Sequence, residues 1–271
     1  MVLLNLFATT YPYYIKHENF GGFSSFVLRT NFFSRYNKMF IPFLTSLLFC
    51  STLVFTSAKP VFLDTNNTLL LRGEVNEKMA TDFVFDLNSR KKKIDLYVFL
   101  DTNGGSVDAG NKIVNEIQKH NLTCIAQKAI SMGFVILQSC EKRYVTPLST
   151  LMQHQISYGV SDEKAKIESY VEFIKQIGEE LTEMQANKIG VTTREFKLNT
   201  YNDWWLFGKK SIQENCADEM VDVYCTPKLT NQTYSIDHGM YSYIYSKCPL
   251  VTNYIEKIKN KKNEDDFFYF L

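Results

Sequence analysis

Over residues 59–227, short apolar runs alternate with longer stretches in which every third or fourth position is apolar. TLLLRGEV (68–75) predicts a strand closed by Gly73, and NEKMATDFVFDLN (76–88) predicts a helix with Met79, Phe83 and Leu87 on one face. IDLYVFLD (94–101) is almost wholly apolar, as expected of a strand buried on both faces of a mainly parallel sheet. After a break at TNGG, helical spacing resumes through Val107, Ile113, Val114 and Ile117, which completes a strand–helix step. LTCIAQKAI (122–130) opens a second step, RYVT (143–146) ahead of Pro147 reads as a third strand, and LMQHQI (151–156) as a fourth. The clearest helix covers residues 161–189, with Ile167, Val171, Ile174, Ile177, Leu181 and Met184 as its apolar stripe. Ser161 is its expected N-cap, Asp162 and Glu163 suit the positive end of its dipole, and Gly190 stops it. No internal repeat interrupts this α/β alternation.

The two ends depart from the pattern. Residues 1–58 read as a signal-like or anchoring leader: Arg35 and Lys38 precede the apolar run MFIPFLTSLLFCSTLVF, and Thr56 and Ala58 suit cleavage after Ala58. Interrupted by Thr45, Ser46, Ser51 and Thr52, the run falls short of the roughly 20 residues that span a bilayer comfortably. The expected location is the secretory lumen or the exterior, with membrane anchoring through residues 40–57, or an organelle, as the alternative. Residues 228–271 read as a Tyr- and Lys-rich tail, in which KIKNKKNEDD is a solvated face or disordered run.

Composition narrows the picture in one direction. Thirty Lys and Arg against 29 Asp and Glu leave a net charge of +1, so no global field gathers nucleic acid, and none is expected as a partner. Asn66, Asn121 and Asn231 head acceptor triplets for glycosylation in a eukaryotic secretory path. Without Cys50 the remaining cysteines are Cys124, Cys140, Cys216, Cys225 and Cys248, none with metal-ligand spacing. Clustering near the end of the domain favours a bridge from Cys216 to Cys225 or Cys248, with one cysteine left free. No metal or cofactor motif is present: neither GxxxxGK[ST] nor GxGxxG occurs.

Three short motifs fall at the ends of expected strands, where α/β sheets present functional groups. DTNGGSVDAG (101–110) ends a buried strand in two glycines, whose backbone amides can approach a ligand closely. ISMG (130–133) puts Ser131 where a strand turns into a helix, beside the Met132 amide; alone, such a serine is far more often a cap than a nucleophile. LMQHQ puts His154 on an apolar strand, where a lone histidine is more often a hydrogen-bonded core residue. Taken together, they supply a nucleophile, a base and an oxyanion hole from separate loops, as acyl transfer requires.

The order of these motifs resembles the proteolytic subunit of the Clp proteases. The family pattern NSPGGS, then ASMG, then MIHQP is similar to LDTNGGSVDAG, ISMG and LMQHQI here, and LFGKKSIQENCADEMVD (206–222) is similar to the family's closing FLSAPEAVEYGLVD. The resemblance implies a ClpP/crotonase-like α/β fold, a spiral of repeated ββα units with a long handle helix, over residues 59–227. It implies a catalytic Ser131, a general base at His154, oxyanion amides at Gly105 and Met132, and homo-oligomerisation through the 161–189 helix. At the position of the family's triad aspartate stands Asn199, which can orient an imidazole but cannot offset its charge. Asp203 is the alternative, reached by a shift of register.

Other departures bear on partners. The family's Pro after HQ is Ile156 here, and the leader replaces the segment that helps to dock a Clp ATPase. The reading is therefore of a serine endopeptidase for peptides or small unfolded proteins, independent of a Clp ATPase, with activity reduced by Asn199. The rivals are a catalytically weak binding or scaffold protein and an acyl-CoA enzyme on the same fold.

Overall fold

The computed structural model describes residues 58–91 and 95–260. The expected leader lies outside the described residues apart from Ala58. Six strands form a parallel sheet: β1 (Lys59–Leu63), β2 (Thr68–Val75), β3 (Tyr97–Gly105), β4 (Thr123–Ile130), β5 (Lys142–Gln153) and β7 (Glu219–Cys225). Their order is β1-β7-β5-β4-β3-β2, and β6 (Trp204–Phe207) adds to β5 in the antiparallel sense. A separate antiparallel sheet is built from β8 (Thr233–His238), β9 (Tyr241–Ser246) and β10 (Glu256–Lys259). The architecture is thus α/β with parallel and antiparallel pairing, consistent with a fold of the Clp proteolytic subunit.

The apolar runs alternate between two buried faces. Leu69, Leu71, Val98, Leu100, Cys124 and Ala126 belong to one cluster, together with Phe83 and Leu87 of α1 (Glu77–Asn88) and Ile113 and Ile117 of α2 (Val107–His120). The intervening Phe99 and Ile125 face the other way, toward Val61, Tyr144, Val221, Leu229 and Cys248. Period-two alternation with both faces covered is why these strands read as continuous hydrophobic runs. The cover of the second face comes from the C-terminal segment that the sequence suggested to be a tail. Arg72 pins that segment by donating to the carbonyls of Pro249 and Val251, while its Nε meets Asp101 at 3.1 Å.

Helix starts follow their caps. The Asn76 side chain accepts from the Met79 amide, and Ser106 does the same for Ala109. The long helix α4 (Lys164–Ile189) begins after Glu163, so Ser161 stands ahead of its N-cap rather than at it. RYVT and LMQ are one strand, not two: the β4–β5 ladder breaks after Val145 and resumes at Thr150, and Pro147 sits in that break, where it removes no ladder bond to β4.

The cysteine pairing corrects the sequence expectation. Cys225 bonds Cys248 and Cys124 bonds Cys140, whereas Cys216 is the free thiol among the described cysteines. Cys216 is held away from either partner in the turn before β7, where its carbonyl accepts from Gln138 at 2.9 Å and burial pushes its thiol up to about 12. The expectation of membrane anchoring is also corrected: among the described residues no helix is long and apolar enough to cross a membrane. The run over residues 40–57 that prompted it lies outside the described residues.

Candidate functional site

Strand β4 ends at Ile130, paired with Met152 of β5, and the Ser131 amide extends the ladder by donating to the Met152 carbonyl at 2.8 Å. Ser131 then takes φ 55° and ψ −117°, a conformation that costs a non-glycine residue about 1–3 kcal/mol. Helix α3 (Met132–Gln138) begins immediately, and its amides at Phe134 and Val135 donate to the Ser131 carbonyl at 2.9 and 3.3 Å. Although Ser131 occupies the N-cap position, its side chain makes no capping bond. Its Oγ lies instead 2.7 Å from Nε2 of His154, the residue that follows β5. A hydroxyl within hydrogen-bond reach of an imidazole has the geometry that general-base activation requires.

Two glycines allow the chain to pass here. Gly104, at φ 87°, lies so close to the turn that a Cβ would stand 2.6 Å from the Ile130 carbonyl oxygen and 2.8 Å from both the Met132 nitrogen and Ser131 Cβ. Gly105, at φ 148°, would put a Cβ 2.3 Å from the Val75 carbonyl oxygen. The Thr102 hydroxyl accepts from the Gly104 amide at 3.0 Å and donates to the Gly73 carbonyl at 2.5 Å, fixing the loop to β2. Gly104 and Thr102 had no assigned role in the sequence; the doubled glycine after a buried strand was their one signal.

Ser131, His154, Gly105 and Met132 line one cavity of about 510 Å³, a volume in the ordinary range of ligand pockets. Its walls include Val107, Val135, Leu181 and Phe196, contributed by α2, α3, α4 and α5 (Thr193–Asn199). Met132 is the first residue of α3, so its N–H is one that the helix leaves without an intrahelical acceptor. Lys197 Nζ meets both carboxylate oxygens of Glu179 at 2.6 Å and ties α5 to α4 at the exposed rim, a pair worth little in water.

The third expected position is arranged differently. Asn199 is the last residue of α5 and Asp203 follows at φ 57°, and neither lines the cavity, whereas Thr200 and Tyr201 do. Among the described residues, the hydrogen bonds of His154 are two: its ring to Ser131, and its backbone N–H to Gln153 Oε1 at 3.0 Å. Gln153 and Gln185 had no assigned role, yet both are buried in the cavity wall and hydrogen-bonded to each other. Behind the site, Arg143 donates to Gln138 at the end of α3 at 2.7 Å and pairs with Asp218. Burial raises the Asp218 carboxyl, but the hydrogen bonds and charge of Arg143 outweigh it and hold the group below its ordinary value.

Comparison with known proteins gives the family. The model of the Clp protease family matches residues 58–223, well over half of the chain. The ATP-dependent Clp protease proteolytic subunit 2 of Pseudomonas aeruginosa is 28% identical over 160 residues, covering 56% of this chain and 80% of that protein. The ATP-dependent Clp protease proteolytic subunit of Streptococcus suis is 26% identical over 164 residues, covering 57% of this chain and 84% of its own length. With relatives of this kind, and with no membrane-crossing helix among the described residues, the expectation of a secreted, lumenal, membrane-anchored or organellar location is withdrawn. The expected independence of a Clp ATPase rests on the leader standing in place of a docking segment, and residues 1–57 lie outside the described residues. From residue 58 to residue 223, the match runs through the strand-end glycines, the strained serine and the histidine beside it, and the chain belongs to the Clp protease family.

Proposed function

We propose that the protein is a serine-type endopeptidase of the Clp protease family, acting on peptides or small unfolded proteins. The observation that carries this reading is the 2.7 Å contact between Ser131 Oγ and His154 Nε2, made by a serine that occupies an N-cap position and does not cap. In the proposed reaction Ser131 Oγ attacks the scissile carbonyl while Nε2 of His154 takes its proton. The amides of Gly105 and Met132 stabilise the oxyanion, and His154 returns the proton to the leaving amine. Water, activated by the same imidazole, then releases the acyl group from Ser131. Asn199 is proposed to orient the imidazole, with Asp203 as the alternative, on the order of the motifs. A ClpP/crotonase-like spiral is the fold-level part of the same proposal. The family relation supports partnership with a peptide substrate and with further copies of the chain.

A second reading, a binding protein of low turnover, is favoured by one observation: no described residue hydrogen-bonds Nδ1 of His154. A single experiment separates the two. A fluorophosphonate probe is expected to label wild-type protein and to leave Ser131→Ala unlabelled, with peptide cleavage abolished in His154→Ala. Labelling that survives Ser131→Ala removes the serine assignment, and absence of both labelling and cleavage in the wild type favours the binding reading.

A further inference from the structure

Gln153 and Gln185 are both more than nine-tenths buried, in a wall to which Val107, Val135, Leu181 and Phe196 also contribute. A buried carboxamide is costly unless its donors and acceptors are used, and here they are used in series. The His154 N–H donates to Gln153 Oε1 at 3.0 Å, Gln153 Nε2 donates to Gln185 Oε1, and Gln185 Nε2 donates to the Leu181 carbonyl at 2.7 Å. Three hydrogen bonds thus run one way from the main chain of His154 to the main chain of α4, joining residues 32 apart in sequence. Bonds aligned in this manner polarise one another.

Packing alone does not call for this arrangement. Two apolar side chains of similar volume would fill the same space, and replacing both amides of the Gln153–Gln185 bond by apolar groups is nearly neutral for that bond, leaving the His154 N–H as the donor that loses its acceptor. The relay acts where β5 ends, at the residue from which the imidazole projects. The ring itself is held by a described hydrogen bond at Nε2 and by none at Nδ1, so its placement depends on the backbone that carries it. A displacement of about 1 Å between reacting groups costs on the order of a hundredfold in rate. We propose that Gln153 and Gln185 are positioning residues for His154, setting the base against α4 through its main chain. This rests on the peptidase reading for its effect on rate, but not for its effect on the imidazole.

The test uses the full chain in three measurements. In Gln153→Met/Gln185→Met, the two amides go together but the His154 N–H loses its acceptor, so the melting temperature is expected to fall by a few degrees only, while kcat falls about ten- to a hundredfold and KM changes little. In Gln185→Glu, a protonated carboxyl can both accept from Gln153 and donate to Leu181, whereas the ionised form cannot donate. The ratio of its rate to the wild-type rate is therefore expected to fall as pH rises through that titration, and this variant decides if the double variant does not fold. The third readout needs no turnover: the ring signal of His154, one of four histidines, is expected to be sharp in the wild type and broadened in the Gln185→Met variant. A folded double variant with wild-type kcat and an unbroadened ring signal overturns the relay. An unlabelled wild type with a sharp ring signal that broadens in Gln185→Met overturns the peptidase reading and leaves the relay standing.

Discussion

Gly104 shows how tightly single residues constrain the turn that carries Ser131. In Gly104→Ala the new methyl would meet the Ile130 carbonyl oxygen at 2.6 Å and Ser131 Cβ at 2.8 Å, from a residue already at φ 87°. Backbone strain and overpacking add, so the expected loss is roughly 2–4 kcal/mol. Because the displaced atoms belong to the turn itself, fluorophosphonate labelling is expected to slow by more than tenfold; thermal melts and labelling rates of the purified variant check both. The same residue marks a limit of sequence reading. A doubled glycine after an apolar strand announces a close approach, but not which backbone approaches. That depends on β3 and β4 lying side by side, with their ends facing α3.

At the scale of elements, the segment from β4 through Ser131 to α3 is held at both ends. Cys124 at the start of β4 bonds Cys140 just past α3, closing a loop of sequence separation 16 around the turn. The end of α3 is fixed separately, through Gln138, to Arg143 and to the Cys216 carbonyl. Cys124→Ala/Cys140→Ala is expected to lose about 3 kcal/mol, the loop-closure value for a ring of that size. Denaturant titration of the variant checks it, and a reductant should lower the midpoint of the wild type but not that of the variant below its own Cys225–Cys248 contribution. Strand and helix positions were legible because β2, β3 and β4 fall on short apolar runs, and because α1 and α2 repeat apolar residues at every third or fourth position. The start of α4 was not. Ser161, Asp162 and Glu163 are all acceptable near a helix start, and nothing local chooses among them.

At the scale of the molecule, the central sheet needs cover on both faces, and the C-terminal segment supplies the second. Leu229, Cys248 and Val251 pack with Phe99 and Ile125, and the Cys225–Cys248 bond closes a separation of 23 residues. A chain ending at Thr226 is expected to lose about 3 kcal/mol from that bond alone, or roughly 6–12 °C in melting temperature. Labelling of Ser131 should persist at low temperature, since the cavity is lined by residues between Gly105 and Tyr201. Loss of labelling with circular dichroism intact would give the segment a direct part in the site. The sequence by itself determined the α/β alternation, the helical faces and the candidates Ser131 and His154, because periodicity and motif order are local and linear. Tertiary structure decided what lies between them in space: the 2.7 Å contact of Ser131 with His154, the pairing of Cys124 with Cys140, the buried amides that reach from β5 to α4, and the cover on the second face. Each joins residues far apart in the chain, and such contacts are chosen by packing and burial, which no local pattern encodes.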